Sequence, residues 1–352
     1  MIRSLRFGRI IWGSLLFAIL SSCFYFYVRV IVTNESISDA RVYFHFYQKI
    51  KQIGFPDFLG YLRAVSGKVE PGLYGFYSYV FGDGIDFPFF VALNLLLLLV
   101  PIFFYCLINA VFCQSRSVIF DFLTVSIINF LWYPSYATNL WTWRSQVALG
   151  LALICAILPH NWIGILAGFG ISMLSISIHY SAAPVLVIIL FFSILSRTRL
   201  SWSSLIFVVI LVGIGCVCLL EPVKTGLVSG NGIWDGDNLT GAVVWLYLTT
   251  LVFIIGLFAA TNSYFYYFPK ERREVIIFVS LAAVSLFVAG GDALNHQNVM
   301  RYSQPAIVAL SYFILFFIRR VEGVTKRLKL IVYLLLGCLP TLSSLSRYLG
   351  FI

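Results

Sequence analysis

The run FPFFVALNLLLLLVPIFFYCLINAVF, residues 87–112, carries no charged side chain. A helix that rises about 1.5 Å per residue crosses about 30 Å of hydrocarbon in roughly 20 residues. This stretch therefore reads as a transmembrane helix and sets the class of the whole chain. A hydropathy window of about 19 residues finds ten further apolar runs, at 10–32, 118–136, 145–158, 162–178, 182–195, 205–220, 242–260, 275–289, 305–318 and 328–345. The run at 145–158 is among the shortest and reaches only about 21 Å unless residues 140–144 join it. Eleven spans of roughly 20 residues would occupy about 220 residues of the 352 in the chain. Only short loops remain, with no room for a soluble catalytic domain.

Composition agrees. Hydrophobic residues make up 61% of the chain and charged ones 11%, far from the balance of a soluble domain. The sequence predicts an all-α, polytopic integral membrane protein with about 11 transmembrane helices in a single domain over residues 1–352. The net charge of +10 does not point to nucleic acid, because the Lys and Arg blocks sit between apolar runs, where they set the orientation of membrane helices. Placing the N-terminus in the cytoplasm puts 14 of the 24 basic residues inside, while the other side collects ten bases and ten of the 14 acids. Arg3, Arg6 and Arg9 precede the first run, which lacks a small-residue cleavage site and reads as an uncleaved span. The seven cysteines form no CxxC pair and read as small core residues rather than metal ligands. No internal repeat appears.

The outer side carries one long polar stretch, 33–86, and two shorter ones, 221–241 and 290–303. Within the first, residues 73–81 are apolar and aromatic but too short to span, which suits an interfacial or re-entrant helix. The candidate chemistry collects at these outer ends. Arg144 stands at the mouth of a span where the orientation rule calls for no cation, and its planar fork suits phosphate oxygens, although an arginine there also suits snorkelling to headgroups. His179 lies in a turn between two apolar runs, where an imidazole can take a proton from a hydroxyl at neutral pH or serve as an interfacial polar group. Arg301 and Tyr302 open a later span. Asp39 and Glu70 are carboxylates able to act as bases, to bind sugar hydroxyls or to remain solvated. Asp121, near the cytoplasmic end of an apolar run, is read as capping or pairing locally, with a proton or ion site as the alternative.

Taken together, Asp39 with Tyr43, Glu70-Pro71, Arg144-Ser145-Gln146, His179-Tyr180-Ser181-Ala182 and Arg301-Tyr302 resemble the EpsG/Wzy group of bacterial polysaccharide polymerases. The group usually shows Arg-Gln where this chain has Arg144-Ser145, with Gln146 one place later. The resemblance implies a lipid-dependent (GT-C-like) membrane glycosyltransferase of the bacterial inner membrane, with its active site facing the periplasm and no metal or cofactor. It would move a growing O-antigen or exopolysaccharide chain from undecaprenyl pyrophosphate to a lipid-linked repeat unit, with a chain-length regulator and a flippase as partners. On this reading His179 is the base, with Asp39 and Glu70 next in line. Arg144 and Arg301 face the pyrophosphate, and Arg41, Gln146, Tyr43 and Tyr302 line the substrate. Trp141, Trp143 and Tyr74 either stack on sugars or mark the interface. A flippase for the same lipid-linked oligosaccharide is the alternative, but it predicts cations distributed from both leaflets and internal pseudo-symmetry. A membrane acyltransferase has only His160 in its favour.

Overall fold

The computed structural model describes residues 2–33, 40–66, 70–113, 118–135, 142–159, 161–198, 201–227, 238–262, 269–291 and 296–342. Every regular element among them is a helix: α1 (Ile2–Thr33), α2 (Ala40–Ile53), α3 (Phe55–Ser66), α4 (Pro71–Tyr79), α5 (Phe87–Cys113), α6 (Val118–Leu131) and α7 (Trp143–Ile157), followed by α8 (Trp162–Ile178), α9 (Ala182–Leu195), α10 (Trp202–Leu227), α11 (Asn238–Thr261), α12 (Pro269–Gly291), α13 (His296–Arg320) and α14 (Val324–Leu336). Each of the eleven apolar runs overlaps one of these helices. Four stretches are long and apolar enough to cross a bilayer, namely Ile10–Thr33, Phe87–Val111, Val244–Thr261 and Glu271–Gly290. Val118–Leu131, Trp143–Ile157, Trp162–Ile178, Ala182–Leu195 and Trp202–Val217 are shorter apolar helices. An all-helical chain of this composition suits a membrane, because a helix satisfies its own backbone where no water can. Side chains follow the same rule: Ser22, Thr33, Thr124, Thr249, Thr250 and Thr261 return their hydroxyls to the carbonyl four residues earlier.

The chain divides into two compact units, one of residues 1–186 with 315–352 and one of residues 187–314. In the first, α7 is the central helix. Thirteen of its 15 residues are buried, and it packs on α5 and α8 while α1 covers α5 and α6. The Tyr27 hydroxyl donates to the Phe130 carbonyl at 2.8 Å and so joins α1 to α6.

Where the sequence predicts one short helix at 73–81, the described residues between α1 and α5 form three. In addition to α4, α2 and α3 form from charged, amphipathic stretches whose average hydropathy is low. On α2 the buried residues are Ala40, Tyr43, Tyr47 and Ile50, spaced to share one helical face. They meet α3, α4 and the start of α5 in an aromatic cluster: Phe58 contacts Tyr74 with ring centroids 5.3 Å apart, and Phe90 contacts Tyr77 at 5.2 Å and Tyr47 at 5.5 Å.

In the second unit α12 packs on α10 and α11. Gly213 lies under the Phe287 ring, and Trp245 Nε1 donates to the Leu286 carbonyl at 2.8 Å.

Candidate functional site

The site begins with how α8 ends. His179 leaves the helix with extended backbone (φ −156, ψ 126), its N–H still held by the Ser175 carbonyl at 3.1 Å. Ser175 is itself fastened to α7, donating from Oγ to the Ala148 carbonyl at 2.6 Å. A tight turn through Tyr180 and Ser181 then leads into α9.

Against this turn comes the start of α4. Pro71 opens the helix, where a missing N–H costs nothing, and Glu70 precedes it. Gly72 sits so close to the end of α8 that a Cβ there would overlap Ser177 Oγ and lie 2.9 Å from the Ile178 nitrogen. Only glycine allows this approach. It delivers the Glu70 carboxylate into the turn.

Glu70 is buried, at 5% exposure, and makes three contacts. Oε2 accepts from the Arg144 guanidinium at 2.5 Å, Oε1 accepts the Tyr180 N–H at 3.3 Å, and Oε1 stands 3.5 Å from His179 Nδ1. The Ser181 N–H points at the same Nδ1 from 3.0 Å. One ring nitrogen cannot both accept from Ser181 and donate to Glu70, and the shorter contact identifies Nδ1 as the acceptor. In this contact Nδ1 carries no proton. To act as a base through Nε2 the ring must instead carry its proton on Nδ1, where Glu70 Oε1 at 3.5 Å is the acceptor at hand. Arg144 Cζ lies 5.3 Å over the Tyr43 ring, and Tyr43 packs on Trp143 at 5.6 Å. Beneath them the buried Tyr77 hydroxyl contacts Asn94 Oδ1 at 2.5 Å, and Asn94 Nδ2 donates to the Phe90 carbonyl. Burial above all, with the Tyr43 and Tyr74 phenols nearby, pushes the Tyr77 hydroxyl well above its usual range, so it stays a proton donor.

The structure thus brings together Glu70, Arg144, His179 and Tyr43 in the first unit. Arg41, on the exposed side of α2, lies with Cζ 3.9 Å over the Phe87 ring. Gln146 is buried in α7, and its Nε2 has no hydrogen-bond partner among the described residues. Arg301 is exposed and Tyr302 half-buried. Both lie in the second unit within α13, which starts earlier than the apolar run suggests, so that residues 296–303 are helix rather than loop. Asp39, Trp141 and His160 lie outside the described residues. Asp121 pairs at 2.5 Å with Arg319, a partner remote in sequence. No group of three or more His, Cys, Asp or Glu side chains able to hold a metal occurs among the described residues.

Sequence reasoning missed Gly72, the Tyr180 and Ser181 amides, and the Tyr77–Asn94 pair. An asparagine within an apolar run was the available signal for the last. Compared with known protein families, curated proteins and solved structures, the chain shows no match.

Proposed function

We propose that this chain is a polysaccharide polymerase of the lipid-dependent membrane glycosyltransferase class, in keeping with its resemblance to the EpsG/Wzy group. It would sit in the bacterial inner membrane with about eleven spans and its N-terminus in the cytoplasm, the Glu70 end facing the periplasm. The observation that carries the reading is that one buried carboxylate, Glu70, touches both the best phosphate ligand and the best base, Arg144 and His179.

The chemistry follows from those contacts. The acceptor sugar hydroxyl attacks the anomeric carbon of the growing glycan, and the bond to undecaprenyl pyrophosphate breaks, with the electron pair leaving on the phosphate oxygen. The Arg144 fork opposes the charge that develops there. The hydroxyl proton goes to Nε2 of the His179 tautomer that carries its own proton on Nδ1, and Glu70 accepts from that Nδ1–H. In the resting arrangement Glu70 is engaged by Arg144. A pyrophosphate that draws the guanidinium towards itself leaves the carboxylate to hold the imidazolium, which links arrival of the donor to activation of the base.

The test is the surface-glycan ladder from cells lacking the gene and from the same cells with the gene restored. Extension lost without the gene, with single repeat units still exported, supports the reading. Loss of every repeat with lipid-linked units trapped inside points to a flippase, and an unchanged ladder rejects both.

A further inference from the structure

The outward face of α2 is polar along its length. Arg41, His45, Gln48 and Gln52 are all exposed, and their spacing of four, three and four residues keeps them on one stripe. At the far end of the stripe Tyr47, Gln48, Lys51, Gln52, Gly84 and Ile85 line a cleft of about 280 Å³. Its charged and aromatic members are held from within. The Tyr47 hydroxyl donates to the Gly82 carbonyl at 2.5 Å and accepts the Ile85 N–H at 3.4 Å. Lys51 Nζ donates to the Ser78 and Phe81 carbonyls at 2.9 and 2.7 Å and pairs with Asp83 at 3.1 Å. The side-chain amides of Gln48 and Gln52, one helical turn apart on the rim, have no hydrogen-bond partner among the described residues. At Gly84 (φ +72) nothing lies within 4 Å of where a Cβ would be, so one side is open.

These features select a ligand class. Each amide offers a donor and an acceptor without charge, as adjacent sugar hydroxyls require. The cleft's cation, Lys51, already faces two carbonyls and a carboxylate, so an anion gains little there. The volume is below the roughly 300–1,000 Å³ of sites for drug-sized ligands, which limits the occupant to something the size of one sugar ring. The cleft starts one turn along α2 from Tyr43, the residue under Arg144. We infer that it is a subsite for one neutral, hydroxyl-rich ring of the glycan, held beside the reaction centre between transfers. This rests on the polymerase reading.

The test uses the full-length protein in nanodiscs and, as probe, the repeat-unit oligosaccharide released from the host's own surface glycan, free of lipid and phosphate. Binding is followed by saturation-transfer NMR. The wild-type protein is expected to bind the probe without competition from inorganic pyrophosphate. The Gln48→Ala/Gln52→Ala variant, matched to wild type in melting temperature, is expected to bind at least tenfold more weakly. In cells it should shift the glycan ladder to shorter chains. Absent wild-type binding, displacement by pyrophosphate, or unchanged affinity in the double variant overturns the subsite. If the restored wild-type gene gives no ladder at all, the polymerase reading fails instead.

Discussion

Gly72→Ala is a methyl-sized change that tests whether the contact between α4 and α8 builds the site. The added Cβ would lie 2.9 Å from both the Ile178 nitrogen and the Ser177 carbonyl carbon, whereas an ordinary contact begins at 3.4 Å. Both obstacles are backbone, so α4 must withdraw by at least about half an ångström, at an overpacking cost of about 1–3 kcal/mol. The withdrawal carries Glu70 with it. The Tyr180 N–H contact, 3.3 Å in the native protein, would stretch to about 3.8 Å, beyond hydrogen-bond reach. The His179 Nδ1 contact would lengthen similarly. A misplacement of about 1 Å in a reacting constellation costs on the order of 100-fold, and a half-ångström shift of a positioning carboxylate is expected to cost about 10-fold or more. The assay is chain extension by protein reconstituted in liposomes with lipid-linked repeat units, alongside a thermal melt. Gly60→Ala is the control: it lies in α3 with nothing within 4 Å of its Cβ position. That substitution should leave extension unchanged and stabilise α3 by up to about 1 kcal/mol. Gly72→Ala extending chains within twofold of wild type would refute the argument that this contact delivers Glu70.

Other substitutions probe separate links. His179→Ala should lower the extension rate about 10²–10⁴-fold with little change in donor-lipid binding, and equal loss of both would assign His179 to binding. Tyr77→Phe leaves the buried Asn94 Oδ1 without its phenol donor, and a melt should show about 1–3 kcal/mol of destabilisation. Arg319→Met takes from the Asp121 carboxylate, 1% exposed, a guanidinium whose own side chain is 40% exposed, and should cost about 1–3 kcal/mol, while pairing it with Asp121→Leu should recover much of that. Additive losses would show that the ion pair is not the coupled unit.

The apolar helices were legible because hydropathy is a local property: the runs at 162–178 and 182–195 coincide with α8 and α9 to the residue. Amphipathic α2 and α3 were not, since Lys49, Lys51, Asp57 and Arg63 lower the average that a membrane window measures, while the face of Tyr43 and Tyr47 that folds them is visible only at helical spacing. At the site, Glu70, Arg144 and His179 each stood out as a polar residue at a helix end. Their convergence was not legible, because it spans 74 residues from Glu70 to Arg144 and 110 from Glu70 to Tyr180, and a glycine sets it. Asp121 shows the same limit, since Arg319, which pairs with it, comes from the end of α13.

The most direct test of the central claim is the surface-glycan ladder of null cells carrying either wild-type protein or Arg144→Lys, at equal membrane level. Lysine keeps the charge beside Glu70 but loses the fork that grips two phosphate oxygens. Wild type should give a full ladder and Arg144→Lys a collapse towards single repeat units, export continuing. A full ladder in the variant would contradict the role of Arg144 at the pyrophosphate and, with it, the proposed reaction centre.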